Sequence, residues 1–163
     1  MKNWKLVAAC VALPLTLAAC GSSSDDDDEA PPPAAQAPQH IASMDFIGRY
    51  ESGSYGVSAA EIPAYDAATQ RAFVVNALSG KIDILDLARP ATPTHLGTLD
   101  AEAVLPGAEI NSVAVRDGTV AVAIQAPVKT DRGYVALYDA ATFALLGSVQ
   151  VGALPDMLTF TPD

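Results

Sequence analysis

Histidine, cysteine and tryptophan are nearly missing from this chain. Its 163 residues hold 2 His, 2 Cys and 1 Trp. Both cysteines, Cys10 and Cys20, lie at the N-terminus, so everything after Cys20 lacks a thiol and can form no disulfide. A core there must be held by burial alone. The two histidines, His40 and His95, stand far apart, and neither has a second His or a Cys at the spacing of a zinc site. No glycine-rich phosphate loop, Gly-x-Ser-x-Gly elbow or EF-hand loop is present. Basic charge is scarce: 9 Lys and Arg face 19 Asp and Glu, for a net charge of −10. An acidic chain without a basic stripe argues against a nucleic-acid partner.

Long apolar runs are missing as well. The N-terminal run over residues 6–17 is broken by Pro14 and falls short of the roughly 20 residues a membrane span needs. It is flanked by Lys2 and Lys5 on one side and Ala18-Ala19 on the other. That order of basic start, short apolar run and small residues is an export signal over residues 1–19. Cys20 follows the two alanines at once, and Leu17-Ala-Ala-Cys20 resembles the lipobox of bacterial lipoproteins. The resemblance implies a diacylglyceryl group on the Cys20 sulfur, cleavage before it and stable membrane anchoring, since each buried methylene contributes about 0.8 kcal/mol. It also implies that Gly21, where an Asp would signal inner-membrane retention, favours the outer membrane of a Gram-negative cell.

Residues 20–40 carry the lipidated cysteine and a linker. Gly21-Ser-Ser-Ser24 is flexible, Asp25-Asp-Asp-Asp-Glu29 is a self-repelling acidic block and Pro31-Pro-Pro33 is extended. Little here can bury an apolar group, so the segment is expected to be a solvated spacer. Without Lys2 and Lys5 the balance is 7 basic to 19 acidic residues, and with the five linker acids set aside the domain at 41–163 sits near −7.

That domain reads as all-β. Short Val- and Ile-rich runs alternate with turn residues. They predict strands over 62–65, 72–76, 82–87 and 95–99, then 112–115, 120–125, 134–138 and 145–151. The breaks between them include Asp66-Ala-Ala-Thr69, Ser79-Gly-Lys81, Asp117-Gly118, Arg132-Gly133 and Asp139-Ala-Ala-Thr142. The two Asp-Ala-Ala-Thr segments are read as loops, not helix starts. The strand sets also repeat. Ile62-Pro-Ala-Tyr-Asp66, Val113-Ala-Val-Arg-Asp117 and Leu158-Thr-Phe-Thr-Pro-Asp163 take equivalent places, with their aspartates 51 and 46 residues apart. Ile82-Asp-Ile-Leu-Asp86 likewise matches Tyr134-Val-Ala-Leu-Tyr-Asp139. Four strands per unit of about 40–50 residues is the signature of a β-propeller blade. A β-sandwich also has many short strands, but it does not require the longer period.

Several segments together resemble the choice-of-anchor I domain. They are Ile47-Gly-Arg-Tyr-Glu-Ser-Gly53, Ala60-Glu-Ile-Pro-Ala-Tyr-Asp66, Arg71-Ala-Phe-Val-Val-Asn76 and Ser79-Gly-Lys-Ile-Asp-Ile-Leu-Asp86, joined by Ile110-Asn-Ser-Val-Ala-Val115 and Gly152-Ala-Leu-Pro-Asp-Met-Leu-Thr-Phe-Thr-Pro-Asp163. The resemblance spans nearly everything from Met44 onward. It implies a YVTN/WD40-like propeller on an exported, envelope-anchored protein, similar to the mesenchyme-specific cell-surface glycoproteins of animals. It also implies that the pattern continues past Thr161-Pro-Asp163, so the chain is expected to be an N-terminal fragment holding an incomplete β-propeller of about two and a half blades. Closed propellers have at least about 4. Residues 44–50 are expected to form a strand that closes the ring.

Chemistry is thinly marked. No catalytic residue can be named. Glu61, Asn111 and Asp156 each open the first strand of a unit, and first strands line a propeller's channel. Oxygen ligands converging there would suit Ca²⁺ or a polar ligand in the full-length protein. The favoured reading is that the same three side chains hydrogen-bond the backbone of neighbouring blade loops and fix register, since buried polar groups must be paired whether or not a ligand exists. Two functions follow. One is a lipid-anchored binding or scaffold module for an envelope protein or glycan. The other, implied only by the alkaline-phosphatase-like or phytase-related names of relatives, is a metal-dependent phosphoesterase in the full-length form. No activity is expected of residues 1–163 alone.

Overall fold

The computed structural model describes residues 43–162. Cys20, His40, the signal and the acidic linker lie outside the described residues. Eight strands follow in order: β1 (Pro63–Asp66), β2 (Arg71–Asn76), β3 (Lys81–Asp86), β4 (Thr94–Leu99), β5 (Glu109–Arg116), β6 (Thr119–Gln125), β7 (Arg132–Asp139) and β8 (Leu145–Ala153). They form two antiparallel four-stranded meanders, β1-β2-β3-β4 and β5-β6-β7-β8. No helix occurs among the described residues.

Period-two patterning places the core. In the first sheet Phe73, Val75, Ile82 and Ile84 share one face and are fully buried, while Asp83 falls on the other. In the second sheet Val113, Val120, Val122, Ala136 and Tyr138 share a face. The two faces meet in one hydrophobic cluster that also takes in Leu99, Ala101 and Ile110. β5 packs against β1, β2 and β3. Each large side chain buried here contributes about 1.5–3 kcal/mol, which is how a thiol-free domain holds together.

Turn chemistry fixes the register. Asp117-Gly118 joins β5 to β6 with φ of 48° and 76°, the two positive values a type I′ hairpin demands. Both Asp-Ala-Ala-Thr segments are loops. In the first, the Thr69 amide donates to Asp66 Oδ2 at 2.9 Å and its hydroxyl at 2.5 Å. In the second, the Thr142 amide and hydroxyl donate to Asp139 Oδ1 at 2.7 and 2.8 Å, joined by the Ala141 amide at 3.0 Å. These bonds, with the nearby Arg71 charge, hold the Asp139 carboxyl below its ordinary value. Each loop ends on a left-handed residue, Gln70 and Phe143.

The two loops belong to different sheets, and Arg71 joins them. Its guanidinium donates to the carbonyls of Ala140 and Ala141 at 2.8 and 2.6 Å and lies 4.8 Å from the Phe143 ring centroid. Phe143 in turn meets Phe73 edge to face. A second tie is Tyr138, whose hydroxyl donates to the Asp100 carbonyl at 3.1 Å. Burial, and then the Asp100 charge, push this phenol above its ordinary value.

The strand expectations hold at all eight places, with two adjustments. β5 begins at Glu109, three residues early, because a bulge between Ile110 and Ser112 lets the ladder restart beyond it. Residues 44–50 form no strand: Gly48 sits against Pro90 and Ala91, where a Cβ would come 2.0 Å from the Pro90 oxygen, and Tyr50 stacks on His95. The segment is held by backbone approach and ring stacking, not by a ladder. Residues 154–162 also carry no ladder. They run beside β5, where Asn111 donates to the Pro155 carbonyl at 3.1 Å and the Arg116 guanidinium donates to the carbonyls of Thr161 and Pro162.

Candidate functional site

One polar cleft of about 350 Å3 forms where the starts of β1 and β5 come together. Chain geometry makes it. The Ile110 amide donates to the Gly80 carbonyl at 2.9 Å, crossing from one sheet to the other. Gly80 has a φ of +67°, and a Cβ there would sit 2.8 Å from Glu109 Cγ, so only glycine lets the β2–β3 turn approach β5 this closely. Just before β1, Glu61 is set by its amide, which donates to the Val75 carbonyl at 3.0 Å. On the far side, the chain leaving β8 brings Leu154 and Asp156.

The cleft gathers Glu61, Asn111 and Asp156, the three residues singled out from sequence. It adds Glu109, Gln125 and Lys129, which sequence reasoning passed over. Gln125 is the organising group. It is only 6% exposed at the end of β6, donates to Glu109 Oε2 at 2.5 Å and accepts from Asn111 Nδ2 at 3.1 Å. Asn111 Nδ2 also donates to the Pro155 carbonyl, tying β5 to the segment after β8. For Asn111, then, the structure supplies the backbone-pairing role. Part of the signal for Gln125 was present, since it closes β6 after the apolar run from Val120 to Ile124; its in-register pairing with Glu109 is set by the fold. Three carboxylates against one ammonium make the cleft acidic.

The three candidates line the same cleft, two carboxylates and one amide. Among the described residues, no three His, Cys, Asp or Glu side chains are grouped as a metal ion requires. His95 lies at the start of β4, away from the cleft, with Nε2 3.4 Å from Asp83 Oδ1 and its ring stacked on Tyr50. No buried side-chain polar atom among the described residues lacks a partner.

A family model of the choice-of-anchor I domain matches residues 61–163. The chain belongs to the choice-of-anchor I domain family. The match opens on Glu61, the first residue of the cleft, and runs through both sheets; residues 47–53, which also resemble the family, lie outside it. No curated protein matches the chain. A choice-of-anchor I domain marks an exported protein that works at the cell surface as an anchored scaffold. Among the described residues no helix is long and apolar enough to cross a membrane.

Proposed function

We propose that the chain is a lipid-anchored β-propeller module of the cell envelope, presenting its loops and the acidic cleft to an envelope protein or glycan. The observation that carries this reading is the choice-of-anchor I match across two sheets of identical strand order. Blade-like packing supports the propeller: the first strand of the second sheet lies against the first strand of the first, and residues 154–162 run beside β5 in turn. The acyl groups sit on Cys20, the linker holds the domain away from an anionic surface, and Gly21 directs the protein to the outer membrane. The phosphoesterase reading has no observation in its favour.

Metabolic labelling with an alkynyl fatty acid tests the anchor. The wild-type protein is expected to take up label and sediment with membranes; Cys20→Ala is expected to lose the label and appear in the soluble fraction. Membrane retention by the variant without label would overturn lipid anchoring. A glycan and envelope-protein array then tests the cleft, where Asn111→Ala is expected to weaken whatever binding the wild type displays.

A further inference from the structure

The outer face of the first sheet carries a second pocket, and the chain before β1 forms its other wall. β2 and β3 send Phe73, Val75, Ile82 and Ile84 into the core, so Val74, Asp83 and Leu85 point the other way. Residues 43–60 pass this face without a ladder. They are held at Gly48 and Tyr50, and again at Ala59, which is buried. Between these points the backbone stands clear. Gly53 and Gly56 take φ of 79° and 73°, and a Cβ on either would meet nothing within 4 Å. A chain held at two points and arched between them leaves a space of about 270 Å3, bounded by Tyr50, Ser52, Ala59, Val74, Asp83 and Leu85.

The walls combine two characters. Val74, Leu85 and Ala59 are apolar, while the Tyr50 ring is apolar in its body and polar at its tip. Stacking on His95 fixes that ring in advance of any ligand. Asp83 alone among the lining residues is charged. Its side chain is 16% exposed and has two neighbours: Asn76 Nδ2 donates to Oδ2 at 2.8 Å, and His95 Nε2 lies 3.4 Å from Oδ1. A carboxylate has about four acceptor sites, so about two stay open. The Ser52 hydroxyl accepts from the Ser54 amide at 3.3 Å and keeps its own hydrogen to donate. Arg49 and Glu51, on either side of Tyr50, pair with each other at 3.1 Å.

This balance selects a ligand class. An anion would find no cation in these walls, and an ammonium would find one carboxylate already shared by two neighbours. A sugar ring matches both characters: its C–H faces suit Tyr50, Val74 and Leu85, and its hydroxyls suit Asp83 and Ser52. At about 270 Å3 the space falls just under the roughly 300–1,000 Å3 of sites for drug-sized ligands, so it suits a single ring. The arch Ser52-Gly-Ser-Tyr-Gly56, with Tyr55 fully exposed, has the Tyr, Ser and Gly content that adaptable binding loops favour.

We propose that this pocket binds one neutral monosaccharide unit of an envelope glycan, with Tyr50 and Leu85 against its C–H face and Asp83 accepting from its hydroxyls. The proposal rests on the envelope-display reading above and gives the saccharide a place apart from the acidic cleft.

Saturation-transfer NMR on the intact protein tests it, with glucose, galactose, mannose and N-acetylglucosamine as probes and choline as the cationic control. At least one of the sugars is expected to take up saturation, and choline none. Tyr50→Ala is expected to weaken that sugar about ten-fold or more, and Tyr50→Phe to keep it bound. Ala60→Phe fills the pocket from an exposed position without touching the Tyr50–His95 stack. It is expected to abolish the signal at an unchanged melting temperature. Silence from every sugar, uptake by choline at or above theirs, or a sugar signal that survives Tyr50→Ala or Ala60→Phe would overturn the proposal. Each of these would leave the cleft reading standing, because Asn111→Ala judges the cleft alone.

Discussion

The two sheets share strand order, a bulge and a Leu-Gly pair, yet they are stabilised differently. The first has a four-residue β1, a covered Phe-Val-Ile face, and residues 43–60 near its other side without a ladder. The second has an eight-residue β5 closed by a two-residue hairpin, and a β6 whose residues from Val120 to Gln125 are all buried. Repetition at the level of topology thus leaves room for one copy to be anchored by its inner strands and the other by what lies against its face. The difference lies in side-chain size: Phe73 and Val75 of β2 stand where β6 has Ala121 and Ala123, so the second sheet has the flatter inner surface on its open side.

Four measurements would break or sharpen that contrast. The largest effect is expected in the shared core. Ile84→Ala and Ile124→Ala, one from each sheet and both fully buried, should each cost about 2–5 kcal/mol in urea melts. Both should keep a single transition, because the two side chains belong to one cluster; two separated transitions would mean the sheets unfold independently. Next is Gly133→Ala. A Cβ there would stand 2.3 Å from the Ile124 oxygen and 2.6 Å from Pro155 Cδ, so the second sheet must shift, at about 1–3 kcal/mol. An unchanged melt would show that β7 tolerates the displacement.

Arg71→Lys probes the tie between the loops. Lysine keeps the charge but loses the planar fork that reaches two carbonyls and lies over Phe143, and a loss of about 1–2 kcal/mol is expected. A loss equal to that of Arg71→Ala would assign the effect to geometry; full retention would assign it to charge. The smallest effects depend on pH. The Tyr138 phenol is raised by burial and by Asp100, so its contribution is complete below about pH 10 and fades as pH rises through the folded value. Tyr138→Phe should remove that alkaline loss and cost about 1 kcal/mol at neutral pH. The Asp139 carboxyl is lowered, chiefly by the Thr142 amide and hydroxyl, so its contribution is present above about pH 4 and disappears as pH falls through the folded value. Asp139→Asn should flatten the acid limb of the stability curve while leaving the alkaline limb unchanged.

Much of this fold was legible in the sequence because strands and hairpins are local. Val-Ala-Val-Ala-Ile closed by Asp-Gly on one side needs no distant information to become β6, and the Asp-Ala-Ala-Thr loops follow from one carboxylate reaching an amide three residues on. The cleft was legible only in part. Glu61, Asn111 and Asp156 read from sequence as polar residues at strand starts; Asn111 lies within β5, Glu61 two residues before β1 and Asp156 in a segment without a ladder, yet all three line one space. Gln125 and Glu109 become partners only once a bulge sets the β5–β6 register, and a bulge leaves no clear mark in composition. Residues 44–50 are expected as a strand closing a propeller ring, and the structure holds them instead by contact of the Gly48 backbone with Pro90 and of Tyr50 with His95. Such contacts join residues some forty positions apart and have no local signature.

The Asp117-Gly118 hairpin also has a kinetic consequence. It joins two long strands through two residues, so the loop-closure entropy of bringing β5 to β6 is small, and that pair is the natural place for folding to start. The Arg71–Ala140 bond spans 69 residues and can form only after both sheets have met. Substitution at Arg71 should therefore accelerate unfolding and leave the folding limb of a chevron nearly unmoved, while a change at Gly118 should slow folding itself. The domain would assemble outward from its shortest turn and be released from its longest tie.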